Sequence, residues 1–159
     1  MPLGRFPRGI AVTPDSRTAY VAIMGSSDIA VVDLTDFTVG WIRGIGRGPR
    51  HLVMDAQGTY LYATLNSVGQ VAKIDTATNT VVGKVASATE PRSMTISPDG
   101  TALYVVNYRS NTVTRLRASD MAVLQTVDTP SNPIGITFEP ATHRVWVACY
   151  SGEILIFDA

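Results

Sequence analysis

The chain has 159 residues, 13 Lys+Arg against 13 Asp+Glu, 45% hydrophobic and 16% charged positions, and no net charge. That balance excludes a disordered chain, which needs low hydrophobicity and a charge excess, and argues against an electrostatic nucleic-acid binder, which carries a basic surplus. No apolar run of about eighteen residues offers a membrane-spanning helix, Met1 to Pro7 holds no apolar signal core, and the single Cys149 cannot by itself build a disulfide framework or a thiolate metal cluster.

An internal repeat dominates the sequence. Prolines stand at 7, 49, 91 and 133, each 42 residues after the last, and three of them begin a Pro-Arg pair. In chain order, the first unit predicts strands at Gly9–Thr13, Thr18–Ile23, Ile29–Asp33 and Thr38–Ile42. The second predicts His51–Asp55, Tyr60–Leu65, Val71–Asp75 and Thr80–Val85; the third, Ser93–Ser97, Ala102–Asn107, Val113–Arg117 and Ala122–Val127. The last offers three, Gly135–Glu139, Arg144–Cys149 and Ile154–Asp158. Apolar and β-branched residues fill these short runs, and Gly, Pro, Asn and Asp bound them, as in Pro14-Asp15-Ser16 and Pro98-Asp99-Gly100. No segment shows a helical apolar period with caps. Four short strands in 42 residues match one propeller blade, so the fold expected is an all-β propeller of four-stranded antiparallel blades.

The repeat columns carry their own expectations. Ile10, Leu52, Met94 and Ile136, with Val12, Met54, Ile96 and Phe138, form one face of the first strands and are expected to pack between blades. Tyr20, Tyr62, Tyr104 and Trp146 are expected to fill the wedge between sheets. Asp33, Asp75 and Asp158 end the third strands, where a short acidic side chain bonds the amides of the next turn. Arg117 breaks that column, so the third unit must close its turn differently.

The stretch Ser97-Pro98-Asp99-Gly100-Thr101-Ala102-Leu103-Tyr104-Val105-Val106-Asn107 resembles the hallmark of YVTN-repeat β-propellers. Tyr20-Val21-Ala22-Ile23, Tyr62-Ala63-Thr64-Leu65 and Trp146-Val147-Ala148-Cys149 are diverged copies, and Val71 to Val82 resembles the second half of that repeat. The similarity runs from Pro2 to Asp158. A WD repeat fits less well, because neither Trp41 nor Trp146 is followed by Asp. The resemblance implies a relation to YncE-like and, more distantly, lactonase-type propellers, and a periplasmic, cell-surface or secreted setting.

Catalytic constellations are absent at the level of motifs. His51 and His143 are the only histidines, 92 positions apart, and there is no HExxH, paired CxxC or EF-hand loop, so no metal and no cofactor is expected. Gly44-Ile45-Gly46-Arg47-Gly48 lacks the Lys-Ser/Thr and helix of a phosphate loop and reads as a connection between blades. No G-x-S-x-G elbow is present, and Cys149 reads as a buried thiol without a base. No catalytic residue can be named.

One polar column points beyond packing. Arg8, Arg50 and Arg92 open the first strands, which line the channel of a propeller, so they are expected near one channel mouth with His51 beside Arg50. Guanidinium groups grouped in this way bind an anionic ligand through forked hydrogen bonds. The competing expectation pairs each arginine with a carboxylate or carbonyl of a neighbouring blade. Two function classes follow: a non-enzymatic module binding a small anion or a protein partner, and a lactonase-like hydrolase. The first leads, because the acidic groups fall in turns.

The length divides into residues 1–6, blades at 7–48, 49–90 and 91–132, and a shorter 133–159. Residues 1–6 align with 43–48, the tail of a unit. The expectation is about 3.6 blades of a larger ring of about seven, either a contiguous piece of a longer propeller or an arc completed by self-association through its open edges.

Overall fold

Strands form at every expected repeat position in the computed structural model, which describes residues 1–159. The first antiparallel sheet runs β1 (Pro7–Val12), β2 (Thr18–Ile23), β3 (Asp28–Asp33), β4 (Val39–Ile42). The second holds β5 (Pro49–Met54), β6 (Tyr60–Leu65), β7 (Gln70–Asp75) and β8 (Thr80–Ala86). The third holds β9 (Pro91–Ile96), β10 (Ala102–Asn107), β11 (Thr112–Arg117) and β12 (Val123–Asp128). The fourth has three strands, β13 (Pro133–Glu139), β14 (Arg144–Cys149) and β15 (Ile154–Asp158). The first strands of successive sheets, β1, β5, β9 and β13, lie side by side. The four sheets are therefore blades around a shared inner edge, an open propeller arc. A single turn of 3-10 helix, Asn66–Val68, joins β6 to β7.

The first strands begin two residues earlier than the apolar pattern suggests, at the repeat proline, and each carries a bulge there. Pro7 pairs with Ile23 but Ile10 with Val21, so β1 holds one residue more than β2 over that stretch. The same offset separates Pro49 from Leu52, Pro91 from Met94 and Pro133 from Gly135. A bulge turns the extra side chain out of the ladder and re-aims it. The residue before each proline has positive φ: Phe6 57°, Gly48 70°, Glu90 55°, Asn132 58°. Its carbonyl accepts the amide of the first residue after the second strand, Met24, Asn66, Tyr108 or Tyr150, at 2.8–3.1 Å. Only Gly48 adopts that conformation without a steric cost; the others are held in it by the fixed carbonyl on one side and the ring of proline on the other.

The core lies in the seams between blades, not within one sheet. Tyr20, Ala22 and Ile29 of the first blade meet Leu52, Leu61, Ala63 and Ile74 of the second. Tyr62 and Val71 meet Met94, Leu103, Val105 and Leu116, and Tyr104, Val106 and Val113 meet Val145, Val147 and Cys149. Middle strands, apolar on both faces, are buried on both faces, whereas the outermost β8 and β12 alternate or lie open. Two expectations need correction at the ends. Ile10 and Val12, expected to pack between blades, are exposed, and so is Trp146. The physical reason is the same in each case, since no blade stands against that face.

The acidic turns behave as short carboxylates should. Asp33 accepts the Thr35 amide at 2.7 Å and Asp75 the Thr78 amide at 2.9 Å. In the third blade Arg117 donates instead to Asp120 at 2.8 Å, and Asp120 accepts the Ala122 amide at 3.1 Å. In the fourth, Asp158 turns to Arg144 Nε at 3.2 Å.

Candidate functional site

Because the bulge follows the repeat proline, it falls on Arg8 in β1, Arg50 in β5 and Arg92 in β9; the fourth blade puts Ile134 there. These strands are neighbours, and the charges of Arg8 and Arg92 both act on Arg50. Arg50 stands between the other two. Burial first, then the like charges of Arg92 and Arg8, hold it below the usual arginine range. Its Nη1 makes only a soft contact, 3.5 Å from Met24 Sδ. Arg8 is exposed and enters no ion pair. Arg92 lies flat on Tyr108, its guanidinium carbon 3.4 Å from the ring centroid, with Glu90 Oε2 3.6 Å from Nη2 and its Nε buried without a hydrogen-bond partner. Among the three, only Arg92 makes a close ion pair with a carboxylate; that carboxylate, Glu90, is shared with Arg109 at 3.5 Å and also acts on Arg50.

His51 is placed differently from its three basic neighbours. Its Nδ1 accepts the Met94 amide at 3.3 Å, and its own amide donates to Thr64 Oγ1 at 3.0 Å. Thr64 Oγ1 in turn donates to the Arg92 carbonyl at 2.8 Å. The ring is a strut from β5 to β9. Burial, and then the charge of Arg50, lower its pKa, so it adds no charge to the mouth.

Two mouth residues escaped the sequence reading. Tyr108 and Tyr150 stack edge to face with centroids 5.9 Å apart, and Tyr150 is largely exposed. They belong to a column at the repeat spacing, Met24, Asn66, Tyr108, Tyr150, one residue past each second strand. That periodicity was the available signal; it was obscured because the four residue types share no chemistry. Asn66 is consumed structurally, its Nδ2 donating to the Pro91 carbonyl at 3.1 Å.

Other polar groups serve the fold. Asp15 and Asp99 accept from Thr13 and Ser97 hydroxyls and from the Arg17 and Thr101 amides, bonds that hold both carboxyls below the usual range. Lys73 Nζ donates to the Ala118 and Ser119 carbonyls, both at 2.9 Å, over the ring of Tyr60. Cys149 is packed in the third seam, and burial raises its pKa. No three His, Cys, Asp or Glu side chains gather closely enough to hold a metal ion.

The four sheets around a shared inner edge define a β-propeller arc. Solved structures share the fold. The chain superposes on the hydrazine synthase of Kuenenia stuttgartiensis with a TM-score of 0.88 at 19% identity, over 96% of this chain and 46% of that one. It superposes on a candidate 6-phosphogluconolactonase of Bacteroides fragilis with a TM-score of 0.78 at 21% identity, over 96% and 50%. For a chain of the mitotic checkpoint complex the TM-score is 0.82 at 13% identity, over 96% and 47%. The chain therefore spans about half the length of these propeller chains. No protein-family model and no curated protein matches it. Likeness at such identities speaks for the fold, and function must be argued from the site.

Proposed function

We propose that the chain is a non-enzymatic binding module of the YVTN-repeat kind, and that its basic mouth holds a small anion. The observation that carries this reading is the charge count at the mouth: Arg8, Arg50 and Arg92 converge there, and Glu90 is the one carboxylate among them. A carboxylate, sulfonate or phosphate ligand supplies the missing acceptors, in bonds that charge on both partners strengthens. The Tyr108–Tyr150 pair gives the ligand an apolar wall. An acidic side chain of a protein partner would use the same chemistry.

Thermal unfolding in a series of phosphate, citrate and alkyl sulfonate concentrations tests the site. A ligand that binds only the folded chain raises its stability by about 2.7 kcal/mol at a hundred times Kd. The expected result is a rise in Tm with anion that vanishes when all three arginines are changed to Met, with the circular dichroism spectrum retained. Unaltered anion dependence in the folded triple variant sinks the reading, as does collapse of the fold, which would make the arginines structural. The enzymatic alternative rests on fold likeness to the candidate lactonase. Lactone hydrolysis that a chelator abolishes would favour it over the binding module.

A further inference from the structure

We propose, resting on the anion reading of the mouth, that Met24 is a site of reversible oxidation whose sulfoxide oxygen captures the Arg50 guanidinium and weakens the hold on the anion. Met24 is the first residue after β2, and its amide donates to the Phe6 carbonyl at 3.0 Å. From there its half-buried side chain reaches across the first seam to β5, where Sδ lies 3.5 Å from Arg50 Nη1. Arg50 enters no ion pair, so this sulfur is the one hydrogen-bond partner its guanidinium has. A thioether is a weak acceptor and leaves Nη1 free for a stronger one. The next blade carries a polar group in the same column. Asn66 stands one residue past β6, and its Nδ2 is bonded to the Pro91 carbonyl of the following bulge at 3.1 Å. Met24 instead meets a bulge donor with a group that becomes a good acceptor only when oxidised.

The other methionines do not combine these features. Met94 and Met121 are 2% and 4% exposed, and Met54 packs against the first core cluster. Met1 is 66% exposed but lies outside the repeat column. Hydrogen peroxide carries out the step. The sulfur lone pair attacks one peroxide oxygen, the O–O bond breaks, an S–O bond forms, and the second oxygen leaves as water after proton transfer. Sulfur loses two electrons and the peroxide gains them. Methionine sulfoxide reductase with a dithiol reverses the change, releasing water and a disulfide. The three rotatable bonds of methionine let the polar oxygen turn to Nη1. A donor held there is lost to the ligand, and phosphate binding is expected to weaken by about threefold to tenfold.

The test treats the chain with graded hydrogen peroxide and follows peptide masses, circular dichroism, and Tm in a phosphate series. Met24 is expected to gain one oxygen alongside Met1 and before Met94 and Met121, with the folded spectrum kept. The phosphate response should shrink as Met24 converts and return after the reductase. Met24→Leu should keep after peroxide whatever response it has before. Met24→Gln, whose amide oxygen stands in for the sulfoxide, should show the weakened response without peroxide. Phenylglyoxal labelling adds a readout that needs no ligand: Arg50 should react more slowly once Met24 is oxidised, while exposed Arg8 is unchanged. A chain that never responds to phosphate sinks the anion reading alone, and the labelling then decides this proposal. Met24 left intact when Met1 is converted overturns it, as does Arg50 labelling that oxidation does not slow. A phosphate response that persists at full Met24 conversion, or a peroxide effect that survives in Met24→Leu, overturns it as well. Unfolding that tracks Met24 oxidation does the same, since the sulfur would then be a packing element.

Discussion

The seams inside the arc and the faces at its ends are written with the same repeat columns yet differ in what covers them. Tyr20, Tyr62 and Tyr104 are 3%, 2% and 1% exposed, but Trp146 in the same column is 41% exposed. Leu52 and Met94 are 4% and 2% exposed, while Ile10 stands at 64%. Residue type does not explain the contrast, since the end residues are as apolar as the buried ones. Ile10 and Trp146 stay exposed where no blade meets them, whereas Ala19, Val21, Ile23, Ala30 and Val32 on the first blade are buried with Leu3, Leu34, Val39 and Trp41 packed against them. Stability in such a fold is a sum over seams rather than over blades.

Truncation in the aromatic column should give the largest separation between the two environments. Tyr104→Ala opens a cavity against Phe138 and Phe157, whose centroids lie 6.0 and 6.4 Å away, and is expected to cost about 3–5 kcal/mol. Trp146→Ala, measured on the monomer, loses only partial contacts and is expected to cost no more than about 1 kcal/mol. Urea unfolding of both variants at low protein concentration makes the comparison. Equal costs would mean that the end face is as well packed as a seam.

The repeat made most of the fold legible. Every second strand matches its expected limits, because Thr18–Ile23 and its copies are predominantly apolar runs bounded by turn residues. The early start of the first strands was not legible, since Pro-Arg-Gly and Pro-Arg-His show no apolar alternation; backbone pairing and a bulge, rather than side-chain pattern, make them strand. The arginine column was visible from spacing. The role of His51 was not, because adjacency in sequence to Arg50 says nothing about the side on which a bulged residue emerges. Lys73 was equally hidden. It replaces Val31 of the first blade at a position where Tyr60, Tyr62 and two carbonyls happen to receive a cation.

A finer contrast lies in the glycines of the bulge. A Cβ at Gly9 would stand 2.8 Å from the Arg50 carbonyl oxygen, His51 Cα and Leu52 nitrogen, all of them backbone that cannot rotate away. Gly9→Ala must therefore pry the first seam open, at about 1–3 kcal/mol. Gly135 fills the same column beside an end face, where the nearest atom would be Ala148 Cβ at an ordinary 3.6 Å. Gly135→Ala is expected to change stability by less than about 0.5 kcal/mol. Thermal unfolding of the pair reads the difference, and a Gly9→Ala variant as stable as the parent would show that β1 and β5 are not locked together.

The smallest expected effect is a pH dependence confined to the second seam. His51 must be unprotonated at Nδ1 to accept the Met94 amide, and burial with the Arg50 charge lowers its pKa from the ordinary 6.5. The unfolded chain therefore takes up a proton that the folded chain refuses as pH falls through 6.5. Stability contributed by neutral His51 is full above 6.5 and declines below it, until the lowered folded value is reached. The turn carboxylates of Asp15, Asp75 and Asp99 have lowered values too, but their contribution is lost only in the window below 3.8. The denaturation midpoint should fall in two stages on acidification. His51→Gln should flatten the upper stage and leave the lower one. An unchanged upper stage in that variant would break the link between this imidazole and the β5–β9 seam, and would show that the proton is taken up elsewhere.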